Sequence, residues 1–346
     1  MSSSNSRTRS DKMLLPISLI ALTLSALPTL TTATPTTTTT GTRTAHIFRR
    51  SNCTNPSVRR EWRSLPRDEQ ISYVDAVLCL TTKPSRISLS TPLYDDFAYV
   101  HSQLSNEIHS VASFLPWHRY FLHVYEAALK ECGYIGNLPY WDWTLDSLSP
   151  STSTIWDATT GFGGDGSPDR TEQDGNNTRR CVADGPFQDL RPSYITDEYN
   201  PHCLTRTWNN GTELPGRMLG EFYSPEMLAN VQASADYATY RFQLESTPHG
   251  AVHSGIGGDM VPSTSPNDPI FYLHHGQVDH AWTLWQKRDP GKRNTEYAGP
   301  RTQDQFDGVT PPEASLDDWM LMRGLAPDMQ VRDAMTTQNG IFCYTY

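Results

Sequence analysis

Histidine is the residue type whose placement in this sequence most clearly indicates chemistry. Four of the eleven histidines lie between residues 101 and 123, and five lie between residues 249 and 280. Neutral imidazole is a good ligand for copper, whereas sites built only from carboxylates suit harder ions. The two groups are therefore candidates for metal binding, and the elements that carry them determine which histidines can meet.

The first group lies on helical sequence. A helix is predicted from Pro116 to about Cys132, because proline suits a first turn and the apolar residues that follow have a helical period. His118 lies on the inward stripe of this helix, whereas His123 falls on a different face. His101 and His109 are predicted to lie two turns apart on an earlier helical segment and to share one face.

The second group begins with His249 and His253, whose spacing of four stacks two imidazoles on one helix face. Such a pair also occurs among buried histidines that only satisfy hydrogen bonds. Glu245, four residues before His249, borders the same face. No glutamate follows His249 directly, so the zinc-protease motif H-E-x-x-H is not present.

The stretch DPIFYLHHGQVDH predicts a helix with Asp268 as its N-cap that continues through Trp285. His274 and His275 are neighbours and point about 100° apart on a helix, so they cannot easily bind one metal ion together. Asp279 lies four residues after His275 and could accept that ring's second N–H, as carboxylates commonly do beside metal ligands. This spacing favours His275 as the ligand.

The chain around these groups predicts one catalytic domain behind an N-terminal extension. Residues 1–33 read as a signal peptide, because basic residues precede a short apolar run; an uncleaved signal anchor is the alternative. Residues 34–50 form a threonine-rich linker or pro-segment, and residues 51–346 are globular in composition. The secretory pathway is therefore the expected location, with a single-pass anchored protein as the alternative.

The net charge limits which partners the protein can bind, and the cysteine content predicts disulfides. A net charge of −10 without a basic stripe argues against nucleic-acid binding, and no segment after the N-terminal run is apolar enough to span a membrane. Six cysteines in a secretory context predict up to three disulfides. Cys181 could pair with Cys203, and Cys53 with Cys343, but six cysteines allow fifteen pairings.

Several motifs together resemble the tyrosinase and catechol oxidase family. The segment from His109 to Glu126 reads H-x4-F-L-x-W-H-R-x2-L-x3-E and is similar to the family's copper A signature. The segment from Asp268 to Asp279 reads D-P-x-F-Y-x2-H-x3-D and is similar to the copper B signature. LPYWDW (138–143) and the terminal Tyr-Thr-Tyr (344–346) also resemble family motifs, so the likeness extends from about Cys53 to the end.

The resemblance implies a mainly α fold, in which a four-helix bundle with long loops and little β structure holds two copper ions. The ligands it implies are His101, His109 and His118 for copper A, and His249, His253 and His275 for copper B. His123, His274 and His280 are expected to be structural. Arg119, Glu126 and Asp279 are expected to form core hydrogen bonds.

Three departures from the family bear on the substrate. Glu107 stands where many relatives have a cysteine cross-linked to a copper A histidine. Gly250 stands where many tyrosinases have an asparagine that, with a glutamate (here Glu245, the expected catalytic residue), orients a water that deprotonates a monophenol. Val261 or Pro262 stands where a bulky phenylalanine often covers copper A, which implies an open mouth.

The function implied is the oxidation of phenols, o-diphenols or o-aminophenols to quinones by O2 as co-substrate. Hydroxylation of a monophenol is less favoured because of Gly250. The expected partner is a small phenol or a tyrosine-containing peptide. The rivals are a haemocyanin-like O2-binding protein without turnover, and a zinc hydrolase, which would use fewer histidines and an open water position.

Overall fold

The computed structural model describes residues 53–209 and 217–346. The predicted signal peptide at 1–33 and the linker at 34–50 lie outside the described residues. Within the described part of the chain, no helix combines the length and the apolar character needed to cross a membrane.

The described residues form nine α-helices and eight short strands, which confirms the prediction of a mainly α fold with little β structure. The helices are α1 (Arg67–Leu80), α2 (Leu93–Gln103), α3 (Ser105–Ile108), α4 (Phe114–Glu131), α5 (Pro225–Gln232), α6 (Tyr237–Leu244), α7 (Gly250–Ile256), α8 (Ile270–Lys287) and α9 (Pro290–Arg293). The strands are β1 (Ser57–Val58), β2 (Gly166–Asp174), β3 (Asn177–Val182), β4 (Tyr194–Ile195), β5 (Glu198–Tyr199), β6 (Trp319–Met320), β7 (Met329–Gln330) and β8 (Tyr344–Thr345).

The centre of the fold is helical. Helices α4 and α8 pack along each other, and α2 and the α6–α7 segment complete the bundle. Both α4 and α8 are buried along nearly their whole length, and the charged residues that they bury, such as Arg119 and Asp279, are paired with each other. The strands pair only in twos, at the edges of this core.

Two helices begin at residues slightly different from those predicted. Helix α4 begins at Phe114, two residues before the predicted start, so Pro116 is its third residue, where its missing N–H costs no helical bond. The N-cap of α8 is Pro269 rather than Asp268. The Asp268 carboxylate still accepts the Ile270 backbone N–H at 3.2 Å, and it also accepts two hydrogen bonds from the buried Arg206 guanidinium, at 2.7 and 2.9 Å.

The prediction that His101 and His109 share one helical segment is wrong. Helix α2 ends at Gln103, Leu104 interrupts the helical backbone, and α3 ends at Ile108. His109 therefore has extended backbone angles, with φ −120° and ψ 148°. The two rings still meet, with centroids 4.9 Å apart, because the chain turns between them.

Three disulfides join separate segments of the described chain. Both predicted pairs are confirmed: Cys53 bonds Cys343 and Cys181 bonds Cys203. The third joins Cys79 of α1 to Cys132, the residue after α4. Beside the first disulfide, β1 pairs in parallel with β8, so the two ends of the described chain are held together by covalent and backbone hydrogen bonds.

A buried ionic cluster fixes α4 against α8. The Asp279 carboxylate accepts hydrogen bonds from Arg119 Nε at 2.6 Å and from the hydroxyls of Tyr344 and Tyr346 at 2.5 and 2.6 Å, and Arg59 lies at 3.4 Å. Burial opposes its charge, yet the two guanidinium groups and the tyrosine hydroxyls lower the pKa of Asp279 below its usual value. The prediction that Asp279 braces His275 is therefore wrong, because its oxygens serve this cluster.

Replacing Asp279 with Asn should destabilise the fold strongly. The change leaves Arg119 buried without a counter-charge, which typically costs about 3–5 kcal/mol, whereas Arg59 keeps its ion pair with Glu126 at 2.8 Å. Urea unfolding should show this loss in the free energy of unfolding.

Asp189→Asn is the matched control, because Asp189 pairs with Arg170 at an exposed position and should contribute under about 1 kcal/mol. Equal effects of the two substitutions would contradict the importance assigned to the buried cluster.

Candidate metal centre

The first histidine group assembles from three elements. His101 comes from α2, His109 follows α3 and His118 comes from α4. One ring nitrogen from each lies within 4.8 Å of the others, and the ring centroids are 4.9 to 5.4 Å apart. His109 donates its Nδ1 hydrogen to the Ser105 carbonyl at 3.0 Å, which directs its Nε2 away from the backbone.

Two of these rings present lone pairs to each other. His101 Nδ1 lies 2.6 Å from the Ser263 carbonyl, and His118 Nδ1 lies 2.7 Å from the Phe114 carbonyl. A carbonyl oxygen only accepts, so both Nδ1 atoms must carry the hydrogen. In neutral rings the two Nε2 atoms, 3.3 Å apart, are then both acceptors without a hydrogen between them. A bound cation would convert this repulsion into two ligand bonds.

Burial keeps the imidazoles neutral. Desolvation lowers the pKa of every histidine in the two groups, and for His109 and His253 the pKa falls to about 4. Neutral imidazole is the form that binds a metal. The site is thus ready to bind a cation at neutral pH without releasing protons from these rings.

Four of the five histidines in the second group, His249, His253, His274 and His275, come together, with ring nitrogens that also lie within 4.8 Å of one another. His249 ends a π-helical turn, Glu245–His249, and His253 lies in α7. Single π turns of this kind occur frequently at functional sites. The His249 and His253 rings lie 4.5 Å apart, as their spacing predicts.

The same hydrogen-bond pattern recurs in this group. His249 Nδ1 donates to the Glu245 carbonyl at 3.0 Å and His253 Nδ1 donates to the Met260 carbonyl at 2.6 Å. Their Nε2 atoms are buried and have no hydrogen-bond partner among the described residues. Unpaired buried nitrogens are costly in a finished core, so their convergence fits a metal ion.

His274 and His275 are the two candidates for a third ligand in this group. Neither ring nitrogen of either residue has a hydrogen-bond partner in the described part of the chain. His275 stacks on His118 of the first group with centroids 4.3 Å apart, and so contacts both groups, whereas the His274 ring packs on His249 and His253. The assignment of His275 stays a prediction, supported by its position between the groups.

Glu245 connects the two halves of the site. Its carboxylate accepts a hydrogen bond from the Ser110 backbone N–H at 2.6 Å and one from Arg241 at 2.8 Å. Its own carbonyl accepts from His249, as above. Burial raises the pKa of Glu245 despite these two donors. Its role as a catalytic residue stays a prediction, and these contacts also give it a positioning role for the histidines on either side.

The segment Met260–Ser263, here called the gate loop, crosses the site. Its two ends accept hydrogen bonds from the two groups, Met260 from His253 and Ser263 from His101. Val261 and Pro262 therefore stand between the groups, and the Val261 side chain is 63% exposed. Valine is smaller than the phenylalanine expected at this position, and the open mouth stays a prediction.

The remaining predicted residues lie outside the two groups. His123 packs on Phe342, and His280 contacts Gln277 and stacks on Tyr346. Glu107, at the position of the family's cross-linking cysteine, is exposed and pairs with Arg323 at 3.4 Å.

The sequence did not predict the backbone carbonyls that orient the rings. Three of the carbonyls lie four residues before their histidines, at Ser105, Phe114 and Glu245, and helical spacing could have suggested them. The other two, Met260 and Ser263, come from the gate loop, which no local pattern connects to His253 and His101.

Comparisons with known proteins agree with this site. The family model for the common central domain of tyrosinase matches residues 92–288, which include both histidine groups. A tyrosinase-like protein of Diaporthe leptostromiformis, phomQ1, is 45% identical over 306 residues, covering 85% of this chain and 78% of that protein. Tyrosinase ustQ of Aspergillus flavus is 41% identical over 331 residues, covering 95% of this chain and 87% of that protein.

A solved structure also matches. A polyphenol oxidase variant from Thermothelomyces thermophila is 30% identical, with a TM-score of 0.71, and the match covers 84% of this chain and 88% of that chain. The family match, the relatives and this fold point to one conclusion. The chain belongs to the tyrosinase family, and it is a type 3 copper oxidoreductase.

Proposed function

We propose that this protein oxidises phenols, in particular o-diphenols or o-aminophenols, to quinones with O2 as co-substrate. The ligands proposed for the two copper ions are His101, His109 and His118 on one side, and His249, His253 and His275 on the other. The observation that carries the proposal is the pair of facing Nε2 atoms of His101 and His118, 3.3 Å apart, whose hydrogens are both committed to carbonyls.

When bound, copper supplies the redox chemistry that moves two electrons from each diphenol to O2, so that two diphenols reduce one O2 to two waters. The chain's own residues prepare this reaction. The carbonyl hydrogen bonds hold five of the six imidazoles in one tautomer and one orientation, so these rings need not turn when the substrate arrives. The gate loop determines how large a phenol can approach.

The substrate class follows from the gate and from Gly250. The exposed Val261 is an argument for a bulky phenol as the substrate, and the proposal includes a tyrosine within a peptide. Gly250 has no side chain to help hold a water beside Glu245, so oxidation of diphenols is proposed as the main activity and hydroxylation of monophenols as the lesser one.

We also propose that the protein works in the secretory pathway, with a signal-anchored form as the alternative. Three disulfides support an oxidising compartment, since such bonds rarely persist in the cytosol.

The test of the function is O2 consumption by the copper-loaded protein with a simple catechol. Sustained uptake with formation of quinone is expected. Reversible O2 binding without turnover would instead indicate a haemocyanin-like carrier. One tightly bound zinc with no response to O2 would indicate a hydrolase, and either result would overturn the proposal.

The choice between His274 and His275 can be made by metal analysis. His275→Ala should reduce the copper content from two ions per chain to about one, because it removes a third ligand. His274→Ala is the matched control and should retain both ions, since the neighbouring ring would serve only as packing. Loss of copper from the second variant alone would show that the proposed ligand is wrong by one residue.

Introducing an asparagine at Gly250 should favour monophenols. A Cβ at Gly250 would contact only the Glu245 carbonyl, at 3.4 Å, so the side chain fits. The ratio of tyrosine hydroxylation to catechol oxidation should rise by at least about tenfold, a fraction of what a positioned proton acceptor contributes.

Ser246→Asn, an exposed change on the same π turn, should leave this ratio unchanged. If both variants behave like the parent protein, residue 250 does not limit hydroxylation.

A further inference from the structure

A groove lies beside the gate loop, and the proposed reaction does not use it. Its cavity of about 310 Å³ opens between strand β3 and the gate loop. We call it the hairpin groove, after the β2–β3 hairpin that forms one wall. Its lining includes Thr178, Arg179, Arg180, His202, Thr205 and Pro262.

The hairpin groove lies close to the histidine groups. Pro262, in its wall, sits between Met260 and Ser263, whose carbonyls accept hydrogen bonds from His253 and His101. Consecutive Cα atoms are about 3.8 Å apart, so Pro262 is at most about 8 Å along the chain from either carbonyl. A substrate group in the groove would thus lie roughly 10 Å from a phenol at the metal site, which is two or three residues of an extended peptide.

Most of the charged side chains that line this groove already have an ion-pair or hydrogen-bond partner. His202 donates to Asp259 at 2.8 Å, and the other oxygen of Asp259 accepts from the backbone and hydroxyl of Thr205 at 2.7 and 2.9 Å. Arg179 pairs with Asp174 on the neighbouring strand at 2.5 Å. The Asp259 carboxylate in the wall is therefore buried and fully hydrogen-bonded, and it does not compete for a cation in the groove.

Arg180 differs from these residues. It is exposed, and its guanidinium makes no hydrogen bond or ion pair within residues 53–209 and 217–346. The nearby Asp165 instead accepts hydrogen bonds from the backbone N–H groups of Gly166 and Trp208. An arginine held at the rim of a cavity with its donors unused matches the planar, two-oxygen geometry of a carboxylate.

We propose that the hairpin groove is a subsite for a carboxylate of the substrate, and that Arg180 is the residue that selects it. The inference rests on the proposed phenol oxidation and specifies its substrate: a tyrosine or catechol with an acidic group two or three residues away. The chain carries a net charge of −10, which repels acidic molecules at long range. A local cation beside the reaction site would offset that repulsion and orient the substrate.

The test compares matched peptides that contain one tyrosine, with Glu or with Gln placed two or three residues from it on either side. The native protein should show kcat/KM about tenfold higher for the better Glu peptide than for its Gln counterpart, as expected for one charge-assisted contact. Arg180→Ala should bring this ratio to about one, and Arg180→Glu should invert it. Turnover of an uncharged catechol should stay within about twofold in all variants.

Arg67→Ala is the control, because it removes one exposed positive charge at the start of α1, away from the hairpin groove. It should leave the Glu-to-Gln ratio unchanged. A second readout does not depend on turnover: peptides with Phe in place of Tyr should bind the copper-free protein, and Arg180→Ala should raise the Kd of the Glu form about tenfold without affecting the Gln form.

The outcomes separate the two claims. If the copper-loaded protein does not oxidise catechol, the proposed function fails, while the binding assay still tests Arg180. If catechol is oxidised but neither the Glu-to-Gln ratio nor the Kd responds to Arg180, the subsite is overturned. The carboxylate could belong to a peptide or to a small phenolic acid with a short chain, and the second can be tested directly. If kcat/KM for such an acid depended on Arg180, the anion site would lie nearer to the phenol than a spacing of two or three residues allows. That result would contradict the stated spacing.

Discussion

The facing imidazole nitrogens are the constraint on which the structure depends. Burial keeps the rings neutral, and the carbonyl hydrogen bonds place the hydrogen on Nδ1. The lone pair of each of these rings is therefore on Nε2. Without a cation the arrangement is repulsive and leaves buried polar atoms unpaired. The fold must therefore be rigid enough to hold these rings together before the metal binds.

That rigidity comes from elements on several sides of the site. The cluster around Asp279 fixes α4 against α8 beneath the histidines, and Glu245 joins the turn after His109 to the start of the second group. The gate loop accepts a hydrogen bond from each group and so spans both. The loop that we propose limits the size of the substrate is the same one that orients two of the rings, so the proposal couples specificity to metal geometry.

Much of this could be predicted from the sequence because its signals are local. Helical period and spacing predicted α4, α8 and the close approach of His249 and His253, and the paired signatures indicated the family. The errors arose where long-range contacts outweigh spacing. Asp279 is at the right interval to brace His275, but two buried arginines and two terminal tyrosines occupy it. Likewise, the break at Leu104 places His109 outside any helix, and nothing local predicts that the gate loop orients His101.

The central claim is that the Nε2 atoms of two histidine groups each hold one copper ion while every Nδ1–carbonyl bond is retained. A crystal structure of the copper-loaded protein, with anomalous differences measured on both sides of the copper absorption edge, tests it most directly. The account predicts two copper peaks, one among His101, His109 and His118, and the other among His249, His253 and His275. A single peak, a peak that persists below the copper edge, or coordination through Nδ1 would contradict it.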